Sequence, residues 1–257
     1  MEHIKVLGAY GTKAKGFGTT SFALNSTDVI DAGNLLDALG EETLNIENIW
    51  LTHSHLDHIV DIAYIIDNYF EQRTKTLNIY GTKATLHALQ SHFLNDVIWP
   101  DFSKIQLSNG EMVVKYIAIE LDTTYQISQN ESIKAFETEH TVCSCGYIYT
   151  KNSSSILITA DTCNLDTAIS EIEQNSSIKS VVIECSFPSH LEELALSSKH
   201  LTPKLLFSAL KGLKRKDFTL YINHIKPAYI IEITQEIEDY KNNFDAVLTK
   251  DGKNLHF

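Results

Sequence analysis

Residues 50–61 read WLTHSHLDHIVD, with three histidines and two aspartates inside nine positions. The run before it, NIWLT (48–52), is rich in β-branched and aromatic residues, which predicts a strand. After it, Ile59, Ile62, Ala63, Ile66 and Tyr69 or Phe70 recur at helical spacing, which predicts a helix from Leu56 to Phe70. The histidine cluster therefore falls at a strand-to-helix turn. Side chains alternate along an extended chain, so His53 and His55 share one side and can hold one ion. Asp57 and His58 lie past the turn, point elsewhere and could take a second ion. Imidazole and carboxylate suit zinc, iron or manganese, and no thiolate stands here to build a closed structural zinc site.

Working outward, strand-like runs recur before the cluster at 4–10, 20–25 and 28–33, and after it at 77–81. A helix follows at 82–95 with Thr82 as N-cap, and then an irregular stretch around Pro100. Five short strands are expected between 112 and 160, with KNSSS (151–155) as a hairpin turn. Helix (164–174), strand (180–187), helix (202–210), strand (217–224) and helix (227–241) complete the pattern. Two successive series, each β-rich first and α/β later, predict two mixed sheets packed face to face with helices outside, an α/β αββα sandwich.

The chain has 257 residues, 43% of them hydrophobic, so one large layered domain spanning 1–257 is expected. Lys and Arg total 21 against 33 Asp and Glu, a net charge of -12, which leaves no electrostatic footprint for a long polyanion. Nucleic acid is thus not the expected partner. The basic run KGLKRK (211–216) reads as a solvated helix end. The beginning, MEHIKVLGAYG, lacks the charged and apolar regions of a signal peptide and reads as a first strand. No window has the roughly 18 consecutive apolar residues of a membrane span, so a cytoplasmic protein is expected. The four cysteines (143, 145, 163, 185) do not suggest a disulfide framework, and CSC has too short a spacing for a zinc knuckle.

A two-ion site needs ligands beyond the cluster, and strand ends are where to seek them. His140 ends SIKAFETEH, Asp161 ends SSILITAD and His224 ends DFTLYINH, each a polar residue after an apolar run.

In the order VIDAG, LTHSHLDH, EH, TADT and INH, the chain resembles the metallo-β-lactamase superfamily over nearly its whole length. The resemblance implies the same αββα fold. It gives His53, His55 and His140 to a first divalent metal and Asp57, His58 and His224 to a second, with Asp161 bridging; zinc is expected, with manganese or iron as alternatives. H-x-H-x-D-H favours hydrolysis, since the oxygen-reducing di-iron relatives usually carry glutamate in place of the second histidine. Asp57 would also orient the attacking water. Asp31 in DAG is expected to accept the second N–H of a metal-bound imidazole.

Two later fragments, VVIECSFPSH (181–190) and LSSKHLTPKLL (196–206), resemble the superfamily's phosphodiesterase branch. That likeness makes His200 a general acid and Glu184 its orienter, with Thr202 beside the substrate; expelling an alkoxide from phosphorus calls for such a proton donor. HSHLDHI with Leu56, HFLNDVIWPDF (92–102) and NHIKP (223–227) are similar to the class II 3′,5′-cyclic-nucleotide phosphodiesterases within that branch. One departure is Asp61, which stands where their signature has a small residue. The likeness implies hydrolysis of cyclic AMP or cyclic GMP to the 5′-monophosphate by a homodimer. Trp99 and Phe102, flanking Pro100, are candidates to stack on the base. The alternatives are a tRNA 3′-processing or other phosphodiesterase and, from other classes, a thioester hydrolase or lactonase, or an inactive binding relative.

Overall fold

The computed structural model describes residues 2–241 and 244–257. Two seven-stranded sheets face each other. In the first, β1 (His3–Gly8), β2 (Ser21–Ala23), β3 (Asp28–Ile30), β4 (Asn48–Trp50), β5 (Leu77–Gly81) and β6 (Val114–Ala118) lie in chain order, and β14 (Asn254–His256) closes the edge beside β1. The second contains β7 (Thr124–Ser128), β8 (Glu131–Glu139), β9 (Cys143–Lys151), β10 (Ser154–Ile158), β11 (Ile178–Glu184), β12 (Thr219–Asn223) and β13 (Ala246–Leu248), again in chain order.

Each sheet is antiparallel at first and parallel later. Pairings from β3 to β6 and from β10 to β13 are parallel, and the pairings before them are antiparallel. Parallel pairing requires crossovers, and helices supply most of them. Among the described residues these helices are α1 (Leu36–Leu39), α2 (Leu56–Asn68), α3 (Lys83–His92), α4 (Asp166–Gln174), α5 (Glu192–Ser197), α6 (Pro203–Leu210) and α7 (Ile230–Tyr240). The αββα sandwich expected from the sequence is the fold observed.

Alternation along the central strands explains the layers. Ile30, Trp50 and Val182 point between the sheets, where they meet Val6, Phe22, Tyr147 and Ile156. Their neighbours Val29 and Ile49 point outward against Ile59, Ile62, Ala63 and Ile66 of α2. On the other side, Val181 and Ile183 meet Leu206, Phe207 and Ile233 from α6 and α7. Both faces of these strands are covered, as parallel sheets require.

Local signals acted as expected in several places. Thr82 caps α3 by accepting from the Thr85 N–H, and Thr202 caps α6 by accepting from Leu205, with Pro203 in the first turn. Other elements were not anticipated: the short helix α1, α5, and the edge strands β13 and β14. The basic run 211–216 leaves the end of α6 with Lys211, Lys214 and Lys216 exposed, as expected, and gives Arg215 a further role. Arg215 donates to the carbonyl oxygens of Ile172, Asn175 and Ile178, closing the loop after α4. All four cysteines are free thiols. Among the described residues no helix is long and apolar enough to cross a membrane.

Candidate active site and metal centre

The polar residues gather where the strands end. Asp31 follows β3, His53 follows β4, His140 follows β8, Asp161 follows β10 and His224 follows β12, so one rim collects side chains from both sheets. Three of these turns are strained: Asp31 (φ 57°), Ala160 (φ 55°) and His224 (φ 60°) occupy the left-handed region. Gly11 lets its loop reach His224; a Cβ there would lie 2.6 Å from the imidazole. At Gly33 a Cβ would lie 2.0 Å from the Asp57 carbonyl oxygen, so this glycine sets how closely α2 approaches β3.

Ligand-type atoms of His53, His55, His140 and Asp161 lie within 4.8 Å of one another, as do those of Asp57, His58 and His224. Asp161 stands between the groups. Its Oδ2 is 3.7 Å from His53 Nε2, 3.8 Å from His140 Nε2 and 3.5 Å from His58 Nε2, while its Oδ1 is 3.2 Å from His224 Nε2. The structure thus brings together all seven residues singled out in the sequence. A third grouping joins Asp161 and His224 to His200.

Hydrogen bonds turn the rings inward. Asp31 Oδ2 accepts from His58 Nδ1 at 2.7 Å and from the Thr52 hydroxyl at 2.8 Å, and its Oδ1 accepts from the Thr52 N–H. With that hydroxyl proton committed, Thr52 Oγ1 accepts from His53 Nδ1 at 3.0 Å. His140 Nδ1 donates to the Lys199 carbonyl at 3.0 Å. His53, His58 and His140 are each left with an Nε2 lone pair facing the cluster.

These lone pairs test whether a cation fits. His53 Nε2 and Asp161 Oδ1 are buried without a hydrogen-bond partner, the latter despite its ion-pair distance to His224. His58 Nε2 faces His224 Nε2 at 3.3 Å, and His140 Nε2 faces His55 Nδ1 at 3.1 Å. Burying converging acceptors is costly unless positive charge lies among them. The donor set, imidazole and carboxylate without thiolate, fits divalent cations.

Charge follows the same geometry. Burial pushes the His53, His55 and His140 pKa values down, favouring the neutral form that ligates metal. For Asp161, burial acts upward, but His224 and His58 outweigh it and hold the carboxylate well below its usual range. Asp57 is lowered in the same way by His58 and His224. His58 moves the opposite way: burial acts downward but is outweighed by Asp161, Asp31 and Asp57, whose charges favour positive charge at this place.

Beside the cluster, Glu184 Oε1 accepts from His200 Nδ1 at 2.7 Å. Burial alone would lower the His200 pKa, but the charge and hydrogen bond of Glu184 raise it above the ordinary value. Glu184 also accepts from the Thr162 N–H and from Ser186 Oγ, and Ser186 in turn lies 3.0 Å from His224 Nδ1. Ser186 was not anticipated. Its only signal in the sequence was its place two residues after Glu184 at the end of the strand.

The cluster opens into a cavity of about 760 Å³. His55, Asp57, Asp161, His200 and His224 form one wall, and Leu36, Leu56, Val60 and Tyr64 form another. Trp99 and Phe102 do not line it, which corrects the stacking expected of them. Phe102 is buried in the core with α2, and Trp99 packs against that core, edge-on to Tyr64 at 5.7 Å. Thr202 is buried in its capping role and is likewise not on the cavity wall. Asp61 accounts for its own departure from the signature: Oδ2 accepts from the Leu36 N–H at 2.8 Å, fixing the start of α1 against α2.

A sequence profile of the cAMP phosphodiesterases class-II matches residues 12–234. The chain belongs to this class-II family. The 3′,5′-cyclic-nucleotide phosphodiesterase 1 of Saccharomyces cerevisiae is 25% identical to this class-II member over 228 residues, which cover 76% of this chain and 60% of the yeast protein. The chain therefore spans about 60% of that relative's length, less than two thirds. A ribonuclease Z of Archaeoglobus fulgidus is 32% identical over 110 residues, covering 42% of this chain and 32% of the relative. The crystal structure of unliganded yeast PDE1 matches the class-II fold seen here with a TM-score of 0.83 at 20% identity, covering 99% of each chain. The metallo-β-lactamase fold protein YhfI from Bacillus subtilis matches with a TM-score of 0.75 at 21% identity, again covering 99% of each chain.

Proposed function

We propose that the chain hydrolyses 3′,5′-cyclic nucleotides to nucleoside 5′-monophosphates with two divalent cations, zinc or else manganese or iron. The observation that carries the reading is the Glu184–His200 pair, 2.7 Å apart, beside the seven converging ligand-type residues. Class-II family membership supports the substrate class. In this reading His53, His55 and His140 hold one cation, Asp57, His58 and His224 hold the other, and Asp161 bridges. When bound, two such cations lower the pKa of water and offset charge on the attacked phosphoryl group.

The chain's own residues do the rest. Asp57, the most exposed carboxylate of the set at 28% of its side chain, reaches into the cavity and orients the attacking water. Its attack on phosphorus is in line with the 3′-oxygen. As the P–O3′ bond breaks, His200 gives its Nε2 proton to that oxygen, and Glu184 stabilises the imidazolium before transfer through Nδ1. His200 serves as donor rather than ligand because the other two members of its grouping, Asp161 and His224, already serve the two cations. The base lies against the apolar wall of Leu36, Leu56, Val60 and Tyr64.

The pairing of β1 with β14 supports one domain over 1–257, because the two ends of the chain share a sheet. The exposed Val97 and Ile98 support self-association as a homodimer, for which sedimentation would give the mass.

Metal-loaded protein should release 5′-AMP or 5′-GMP from the cyclic nucleotides. The ribonuclease Z relatives favour a second reading, cleavage of a tRNA precursor. Turnover of that RNA without turnover of either cyclic nucleotide would reverse the order of the two.

A further inference from the structure

Lys226 lies on the cavity wall two residues beyond His224 and takes no part in the reading above. Its backbone is fixed at the site, since its N–H donates to the Ser186 carbonyl. Its side chain passes over the Phe187 ring, with Nζ 5.0 Å from the centroid, and donates to the Gly11 carbonyl at 3.3 Å. Phe187 in turn packs against His200, with ring centroids 5.8 Å apart. Lys226 and His200 both line the cavity, and Phe187 bridges them by contact with each.

Among the described residues Lys226 enters no ion pair. What sets it apart from other lysines without an ion pair is its place on the cavity wall, beside the cluster of carboxylates and imidazoles. The other lysine on the cavity wall, Lys13, is already spoken for: Asp37 accepts from it at 2.7 Å and Asn34 at 3.1 Å. Lys226 thus brings into the cavity a positive charge without an ion-pair partner, and two of its three N–H donors make no hydrogen bond among the described residues. A phosphodiester carries one negative charge, and more collects on its non-bridging oxygens as the fifth oxygen bonds to phosphorus. An ammonium already in place costs no reorganisation when that happens.

We propose that Lys226 is a further catalytic residue, whose ammonium donates to a non-bridging phosphoryl oxygen of the substrate. The inference rests on the phosphodiesterase reading. The lysine forms no covalent bond and leaves leaving-group protonation to His200. The bond to Gly11 holds the ammonium while the cavity is empty, and Phe187 keeps its stem along the wall.

The test compares Lys226→Met and Lys226→Arg in the full, metal-loaded chain. Lys226→Met should lower kcat/KM for cyclic AMP by about 10–100-fold, as expected for loss of a hydrogen bond to a charged group. Inhibition by 5′-AMP should weaken by a comparable factor, while inhibition by uncharged adenosine and the metal content stay unchanged. Lys226→Arg should recover most of the loss. Equal weakening for 5′-AMP and adenosine would show that Lys226 only props the Gly11 loop and would overturn the proposal, as would unchanged inhibition by 5′-AMP. If Lys226→Met does not fold, Lys226→Gln carries the same comparison. Should the wild type turn over no cyclic nucleotide, the substrate reading fails by itself. Calorimetric titration with inorganic phosphate then decides Lys226: weaker binding by the variant supports the phosphoryl contact, and equal binding removes it.

Discussion

Glu184 holds His200 by a 2.7 Å bond to Nδ1 and, through the Ser186 hydroxyl, reaches His224 on the other side. One carboxylate thus reaches two imidazoles, to which the proposed function gives different tasks. If His200 supplies the leaving-group proton, His200→Ala should slow hydrolysis of cyclic AMP by about 10²–10⁴-fold, the usual contribution of a positioned acid. A 4-nitrophenyl phosphodiester, whose leaving group needs no proton, should be affected far less. Equal losses on the two substrates, measured at saturating metal, would remove the general-acid role.

Asp31→Asn tests ring orientation. Asparagine tolerates the left-handed backbone at this position (φ 57°) and can still accept from the Thr52 N–H. Its amide would then face His58 Nδ1, forcing that nitrogen to accept and leaving the proton on Nε2, where it blocks a metal. Loss of affinity for one cation by about 10–100-fold, read by metal analysis across a chelator titration, is the expected result. Two full equivalents at the wild-type affinity would contradict it.

Chelation should destabilise the fold without abolishing it, because the three apolar clusters do not depend on the site. Metal that binds only the native state adds stability by mass action. Differential scanning fluorimetry should therefore show Tm falling on treatment with chelator and returning with zinc or manganese. Asp161→Ala should lower the metal content of both positions and abolish most of that recovery. Full occupancy in the variant would contradict the bridging role.

Tyr64→Ala probes the base wall. The residue is 42% exposed, so loss of its side chain should cost little stability. Stacking of a base on an aromatic ring is worth about 1–3 kcal/mol, so KM for cyclic AMP should rise roughly tenfold or more. A methyl 4-nitrophenyl phosphodiester, which has no base, should keep its KM. Trp99→Phe should leave both values unchanged; a rise for cyclic AMP there would return the stacking role to Trp99.

The first half of the converging set was legible because its spacing is local: His53, His55, Asp57 and His58 need only the change from strand to helix to divide them. His140, Asp161 and His224 were legible because each ends an apolar run. Ser186 was not, since its importance comes from touching Glu184 and His224, and the latter is 38 residues away. Strand β14 was missed for a related reason: its three residues become a strand only through pairing with β1 at the far end of the chain. Trp99 and Phe102 misled because a proline between aromatics reads as an exposed loop. In the fold, the Asn95 and Asp96 N–H groups bond back to the Trp99 carbonyl, and the turn presses Phe102 into the core.

The left-handed residues at Asp31, Ala160 and His224 bear on how the molecule could change. For a residue other than glycine, such a conformation costs roughly 1–2 kcal/mol. A search that rewarded heat resistance alone would favour relaxing these three turns, for example by Ala160→Gly or by resetting the strand ends. Each such gain would loosen a corner beside the converging cluster, so sturdier descendants selected without an activity screen would drift toward an empty sandwich.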